Sequence, residues 1–202
     1  MANGSRTRLD PAARRAQLVA LGLQMLSTRP LDQVVIDEIA AEAGISRGLL
    51  FHYFPTKRDF HVAVVQAAAD DLYARTEPDT ALPVRERLHT SLEAFVDYVS
   101  DNRDVYAALL RGAAGGDPAV RAVLDATRSK ITDRVLAGLG VHDPAPARLR
   151  LAARGWVAFA EEATVDWLAT GDLGRAELIE LLDESLVTLM AVASGQEAAR
   201  SL

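Results

Sequence analysis

The sequence predicts an all-α protein of about nine helices. Apolar residues recur at three- and four-residue spacing over long stretches. Clusters of Gly, Pro, Asp and Asn cut those stretches into segments of helical length. No alternating run of β-branched residues reads as a strand. Of 202 residues, 50% are hydrophobic and 25% charged, enough apolar material for a packed core and enough charge for solubility. Cysteine is absent, which excludes a disulfide framework and thiolate metal sites. No segment approaches the roughly 18 apolar residues of a membrane span. The N-terminal MANGSRTRLDPAARR has no apolar stretch of a secretory leader. A cytoplasmic protein without a membrane partner is the expectation.

Residues 1–10 are polar and aperiodic, and read as a flexible basic arm carrying Arg6 and Arg8. Asp10 is a good N-cap, and Pro11 fits the first helical turn, where its missing N–H has no intrahelical partner. Leu18, Leu21, Gly22, Met25 and Leu26 then share one face, until Thr28, Arg29 and Pro30 stop the helix. A second helix spans Val35 to Ala43, with Ile36, Ile39, Ala40 and Ala43 inward. Gly44 stands where a left-handed C-cap belongs. Ser46 is the N-cap of a third helix, Arg47 to about Phe54, so three residues separate the two helices. Helix, short Gly-containing turn, helix is the sequence form of a helix-turn-helix. Pro55 and Thr56 end the third helix and start a fourth over 57–75, with Phe60, Val64, Ala67, Ala68 and Leu72 inward. Further helices are expected at about 84–100, 102–112, 117–139, 146–170 and 175–194. The resulting organisation is a helix-turn-helix head over 11–56 (motif 35–54), a connecting helix over 57–76 and a larger helical body over 84–196.

The net charge of −6 at first argues against a polyanionic partner, but its distribution does not. Residues 1–60 hold eight basic against six acidic residues, and the remainder fourteen against twenty-two. A mildly basic head on an acidic body turns the head toward a polyanion.

On the third helix, Arg47 and Phe51, and Gly48 and His52, are neighbours one turn apart. Leu50 and Phe54 form a roughly opposite stripe and read as core. Arg47, Gly48, Phe51 and His52 are therefore expected outside, with Leu49 and Tyr53 flanking. An α-helix fits the major groove of double-stranded DNA, and its first turn reaches base edges. Arg47 is placed to meet guanine or a phosphate, and Gly48 to let the backbone approach closely. Ser46 and the first-turn N–H groups suit a phosphate oxygen. His52, Tyr53 and Lys57 suit backbone phosphates, which fix register without reading sequence.

VIDEIAAEAG followed by ISRGLLFHYFPTK closely resembles the signature of tetracycline-repressor-like (TetR family) transcriptional regulators, over about residues 12–62. The resemblance implies a homodimeric repressor on a palindromic operator, with DNA contacts at Ser46, Arg47, Gly48, Phe51, His52, Tyr53 and Lys57. It also implies a phosphate contact at the start of the second helix. There the family often has threonine, and here Val35 and Ile36 stand, so a contact at Val35 would be through the backbone. Leu49 replaces a polar base reader of some members and either meets a thymine methyl or flanks the interface.

In the body, LIELLDESLVTLMAVA and LRLAARGWVAFAEEATVDWLA are apolar on most sides. Such helices are buried on more than one side. A four-helix bundle with a second copy satisfies both, an arrangement the family uses. Trp156, Ala160, Ala163, Trp167, Leu178, Leu182, Leu186 and Leu189 are the expected dimer residues. Phe95, Tyr98, Val99, Tyr106, Leu109, Leu110, Leu124, Ile131, Trp156 and Phe159 are candidates to line an effector pocket. Glu162 or its neighbour Glu161 is the candidate polar anchor or partner of Arg128. A largely apolar pocket implies a lipophilic or aromatic effector. No cofactor is expected. His52, His61, His89 and His142 lack metal-ligand spacing, and neither a phosphate loop nor a nucleophile elbow is present, so an enzyme is not expected. A ligand-independent regulator or helical adaptor is the alternative.

Overall fold

A computed structural model describes residues 10–26, 28, 33–114 and 117–195, without the side chains of 108 and 110–114. The expected basic arm, the Arg29–Pro30 helix stop and the glycines at 115–116 lie outside the described residues. Among the described residues nine helices and no strand occur. They are α1 (Pro11–Leu26), α2 (Ile36–Glu42), α3 (Arg47–Tyr53), α4 (Lys57–Arg75), α5 (Val84–Asp101), α6 (Arg103–Ala114), α7 (Pro118–Gly138), α8 (Ala147–Thr170) and α9 (Arg175–Ser194).

Local chemistry sets the boundaries. The Asp10 carboxylate accepts from Ala13 N–H at 2.9 Å and starts α1. Gly44, at φ +64°, closes α2. Its N–H donates to Ala41 O at 3.0 Å and that of Ile45 to Ala40 O at 2.9 Å, the paired bonds of a Schellman turn. Thr56 and Asp59 cap α4 reciprocally. Thr56 N–H donates to the Asp59 carboxylate at 3.0 Å, and Asp59 N–H to Thr56 Oγ1 at 3.1 Å.

The head packs α1, α2, α3 and α4 around Leu18, Leu26, Ile39, Leu50, Phe54, Phe60 and Val64, all 1% exposed or less. Leu109 of α6 and Val120 of α7 belong to the same cluster. The connecting helix α4 therefore enters the core of the head and packs along α7 of the body. A second tie joins the two ends of that contact. The Arg58 guanidinium donates to the Asp117 carboxylate at 3.0–3.2 Å, and Asp117 also caps α7 by accepting from Ala119 N–H at 2.8 Å. These bonds hold the Asp117 carboxyl below its usual range, Arg58 being the largest cause.

Gly22 is where α1 crosses α4. A Cβ there would lie 2.6 Å from Val64 Cγ2 and 2.8 Å from Phe60 Cζ, both fully buried. Gly22→Ala gains about 1 kcal/mol of helix propensity but forces overpacking that costs about 1–3 kcal/mol. We expect a net loss of stability on the order of 1 kcal/mol in urea denaturation. A gain would show that the α1–α4 crossing relaxes freely.

Candidate nucleic-acid interface and body cavity

The third helix is held from behind. Leu50 is fully buried and Phe54, its C-cap, is 1% exposed, packing edge-on against Phe60 with ring centroids 5.1 Å apart. The Ser46 hydroxyl accepts from Leu49 N–H at 3.2 Å, which leaves its own hydrogen to donate outward. Arg47, Gly48, Leu49 and His52 are exposed, and Lys57 follows at the start of α4. Phe51 departs from the expected outward face. It is half-buried and packs on the head core together with Tyr53 and Ile45. Because α3 is only seven residues long and packs against α2, its flank touches the head core, and a four-residue outward face narrows. Val35 is 41% exposed at the start of α2, with no side-chain cap.

One partner had no sequence signal. The Arg47 guanidinium donates to the Asp37 carboxylate at 2.9 Å and lies 5.4 Å from the Phe51 ring centroid. Asp37 is ten residues earlier, on α2, and only the angle between the two helices brings it there. Both side chains are more than half exposed, so the pair is easily exchanged.

The body holds a partly open cavity of about 650 Å³, within the range for small-molecule sites. Its walls come from the end of α4, the first half of α5, the second half of α7, and α8, with Leu186 from α9. Of the expected pocket residues, Phe95, Ile131 and Trp156 line it. Tyr98, Tyr106, Leu109 and Leu124 line a separate space of about 40 Å³ nearer the head. Val99 is buried but lines neither, and the Leu110 side chain lies outside the described residues. Phe159 and Glu162 are corrected: both stand on the outer face of α8, Phe159 at 42% exposure. Glu161, one residue earlier and about 100° round the helix, faces inward and borders both spaces. Arg128 lines neither space, and donates to the Glu161 carboxylate at 2.7 Å and to that of Asp125 at 3.3 Å. Burial pushes the Glu161 carboxyl up, with Arg128 pulling against it. Burial raises the neighbouring Tyr106 hydroxyl well above its usual value. Residues missed by the sequence reading include Leu88, Leu92 and Val135, ordinary helical apolar positions with nothing to mark them as a wall.

The expected dimer residues also move. Trp156, Ala160, Leu178, Leu182 and Leu186 are at most 5% exposed, because α8, α9 and α5 pack these faces together within one chain. Ala163 and Trp167 are half-buried, and Leu189 is exposed at the edge. The apolar groups left outside are Leu151 and Phe159 on α8 and Leu181, Val187 and Val192 on α9.

Residues 18–64 match the family described as bacterial regulatory proteins, tetR family, and residues 84–189 match a tetracyclin repressor-like C-terminal domain. The chain is 29% identical over 177 residues to the HTH-type transcriptional activator FasR of Mycolicibacterium smegmatis, covering 83% of this chain and 78% of that protein. Among solved structures, a tetR-family transcriptional regulator from Streptomyces coelicolor is 37% identical, with a TM-score of 0.82 over 93% of this chain and 85% of that one. A TetR-like regulator from Rhodococcus is 26% identical, with a TM-score of 0.69 over 91% and 99%.

Proposed function

This chain belongs to the TetR family of bacterial transcriptional regulators, and from that membership we propose that it is a homodimeric repressor released from a palindromic operator by a small molecule. Its relatives are DNA-binding regulators and not enzymes. The observation that carries the reading is the outward turn of α3: an exposed base, a glycine and an exposed imidazole on a helix whose other side is locked into the core. Such a helix fits a major groove.

In this reading Arg47 and Gly48 lie against base edges, with Leu49 and the exposed part of Phe51 beside them. Ser46, His52, Tyr53 and Lys57 hold backbone phosphates, and the chain near Val35 adds a backbone contact. Arg47 exchanges Asp37 for DNA on binding. The test is a gel shift on the DNA flanking the protein's own gene. Arg47→Ala is expected to weaken binding by about 1–3 kcal/mol, and His52→Ala by less. If both variants bind as the wild type does, α3 is not the reading helix.

A second copy would cover the outer face of α8 and α9. Phe159 and Leu151 share one side of α8, and Leu181, Val187 and Val192 lie on the side of α9 turned from the core. A two-fold axis would bring each stripe against its mate. Phe159→Asp combined with Val187→Asp is expected to yield monomers in sedimentation with unchanged helical circular dichroism. Dimers of the double variant would place the interface elsewhere.

The cavity supports a lipophilic or aromatic effector, which acts only through a difference in affinity for the DNA-bound and free shapes. Failure of every extractable metabolite to release the operator would favour a ligand-independent regulator. The Mycolicibacterium smegmatis relative is named an activator. A promoter–reporter fusion decides the sign here: repression lowers its output, and a rise would make this chain an activator.

A further inference from the structure

The cavity walls are not uniformly apolar. Leu92, Phe95 and Trp156 line the cavity, Leu92 and Trp156 being buried, and so do the half-buried Arg87 and Arg134 and the exposed Lys130 from α5 and α7. Lys130 and Arg134 are one turn apart on α7 and flank the ring of Tyr73, at 5.9 Å and 3.4 Å from its centroid. None of the three cations has a carboxylate partner among the described residues. The two acids on the wall are already engaged: Asp133 accepts from Arg150 at 2.6 Å and Glu161 from Arg128 at 2.7 Å. The wall therefore carries uncompensated positive charge.

The cations also keep donors in reserve. Arg134 Nη1 donates to Tyr73 O at 2.8 Å and to Thr76 Oγ1 at 3.3 Å, which fixes the guanidinium while Nε and Nη2 remain unspent. Arg87 spends Nε on Leu82 O and leaves both terminal nitrogens. Lys130 makes no hydrogen bond among the described residues, and it is exposed. Ser91 adds a buried hydroxyl with no partner on the same wall. Cations pre-placed beside an apolar chamber suit one shape of ligand. We propose that the cavity binds an anionic amphiphile, its apolar chain along Leu92, Phe95 and Trp156 and its acid head between Arg87, Lys130 and Arg134. Charge-assisted hydrogen bonds to carboxylate or phosphate are the strong ones. This assignment rests on the reading of the chain as an effector-controlled regulator, and names the class of effector.

The test is calorimetric titration of the full chain at low salt with dodecanoate, dodecyl phosphate and 1-dodecanol, which share a chain and differ in head. Both anions are expected to bind at least about tenfold more tightly than the alcohol, and the margin to shrink as salt rises. Whichever anion binds better identifies a carboxylate or a phosphate head, and either result supports the proposal. Lys130→Gln and Arg87→Gln are expected to weaken the anions several-fold and leave the alcohol unchanged. Lys130 is exposed, so its replacement spares the fold even where Arg134→Gln, which frees the end of α4, does not. Equal affinity for the alcohol, variants that affect all three probes alike, or no binding of any probe would overturn the proposal. A parallel gel shift separates the two readings. Anions that bind as described without releasing operator DNA refute the effector role and leave the ligand class standing. Release by a neutral lipophile alone refutes the ligand class and leaves the role.

Discussion

Phe60→Ala is expected to remove about 3–5 kcal/mol of stability and, with it, binding to DNA. Phe60 is fully buried. Its ring meets Phe54 edge-on at 5.1 Å between centroids and reaches toward Gly22 across the α1–α4 crossing. It therefore fixes α1, the end of α3 and the start of α4 together, and no neighbour can follow a shortened side chain without moving a helix. Losses of this size are a large fraction of the stability of a typical domain. Urea denaturation followed by circular dichroism gives the number, and a gel shift gives the consequence. A loss under about 1 kcal/mol would mean the head collapses onto the gap. Gly22→Ala should cost less in this background than alone, because one of its two clashes has gone. Equal costs would show that Val64 carries the contact.

Trp156→Ala is expected to cost a similar amount, about 3–5 kcal/mol, but in the body. The indole is 4% exposed, and its Nε1–H donates to Leu182 O at 3.0 Å and Ser185 Oγ at 3.1 Å, which pins α8 to α9. One side of the ring forms wall of the 650 Å³ cavity. Its removal merges two voids that the surrounding helices cannot close. Phe159→Ala, three residues on, serves as the comparison. On the outer face it should cost little in the stability of a protomer while weakening association. If the two variants exchange effects, so that Trp156→Ala dissociates the protein without destabilising it, α8 is turned the other way.

Those two tryptophan and phenylalanine positions show where the sequence stopped being informative. Nothing about Trp156 or Phe159 alone separates core from surface, since helices α8 and α9 are apolar on most sides and helical period selects no single face. Glu161 and Glu162 present the same difficulty. They are adjacent and chemically alike, and the choice between them depends on where α7 puts Arg128. Asp37 beside Arg47 and the α7 cations Lys130 and Arg134 over Tyr73 of α4 likewise come from helix crossings, not from local pattern.

By itself the sequence determined the all-α class, the nine helices to within two residues at their ends, the capped helix-turn-helix and the buried pair Leu50 and Phe54. Each of these rests on local chemistry: side-chain period, the Asp10 and Thr56 caps, and the positive φ of Gly44. Only the tertiary structure decided that Phe51 leans on the core, that Glu161 and not Glu162 faces inward, and that Trp156 belongs within a protomer. Those outcomes depend on which surfaces the helices bury against one another, and burial is a property of the assembled core rather than of any one segment.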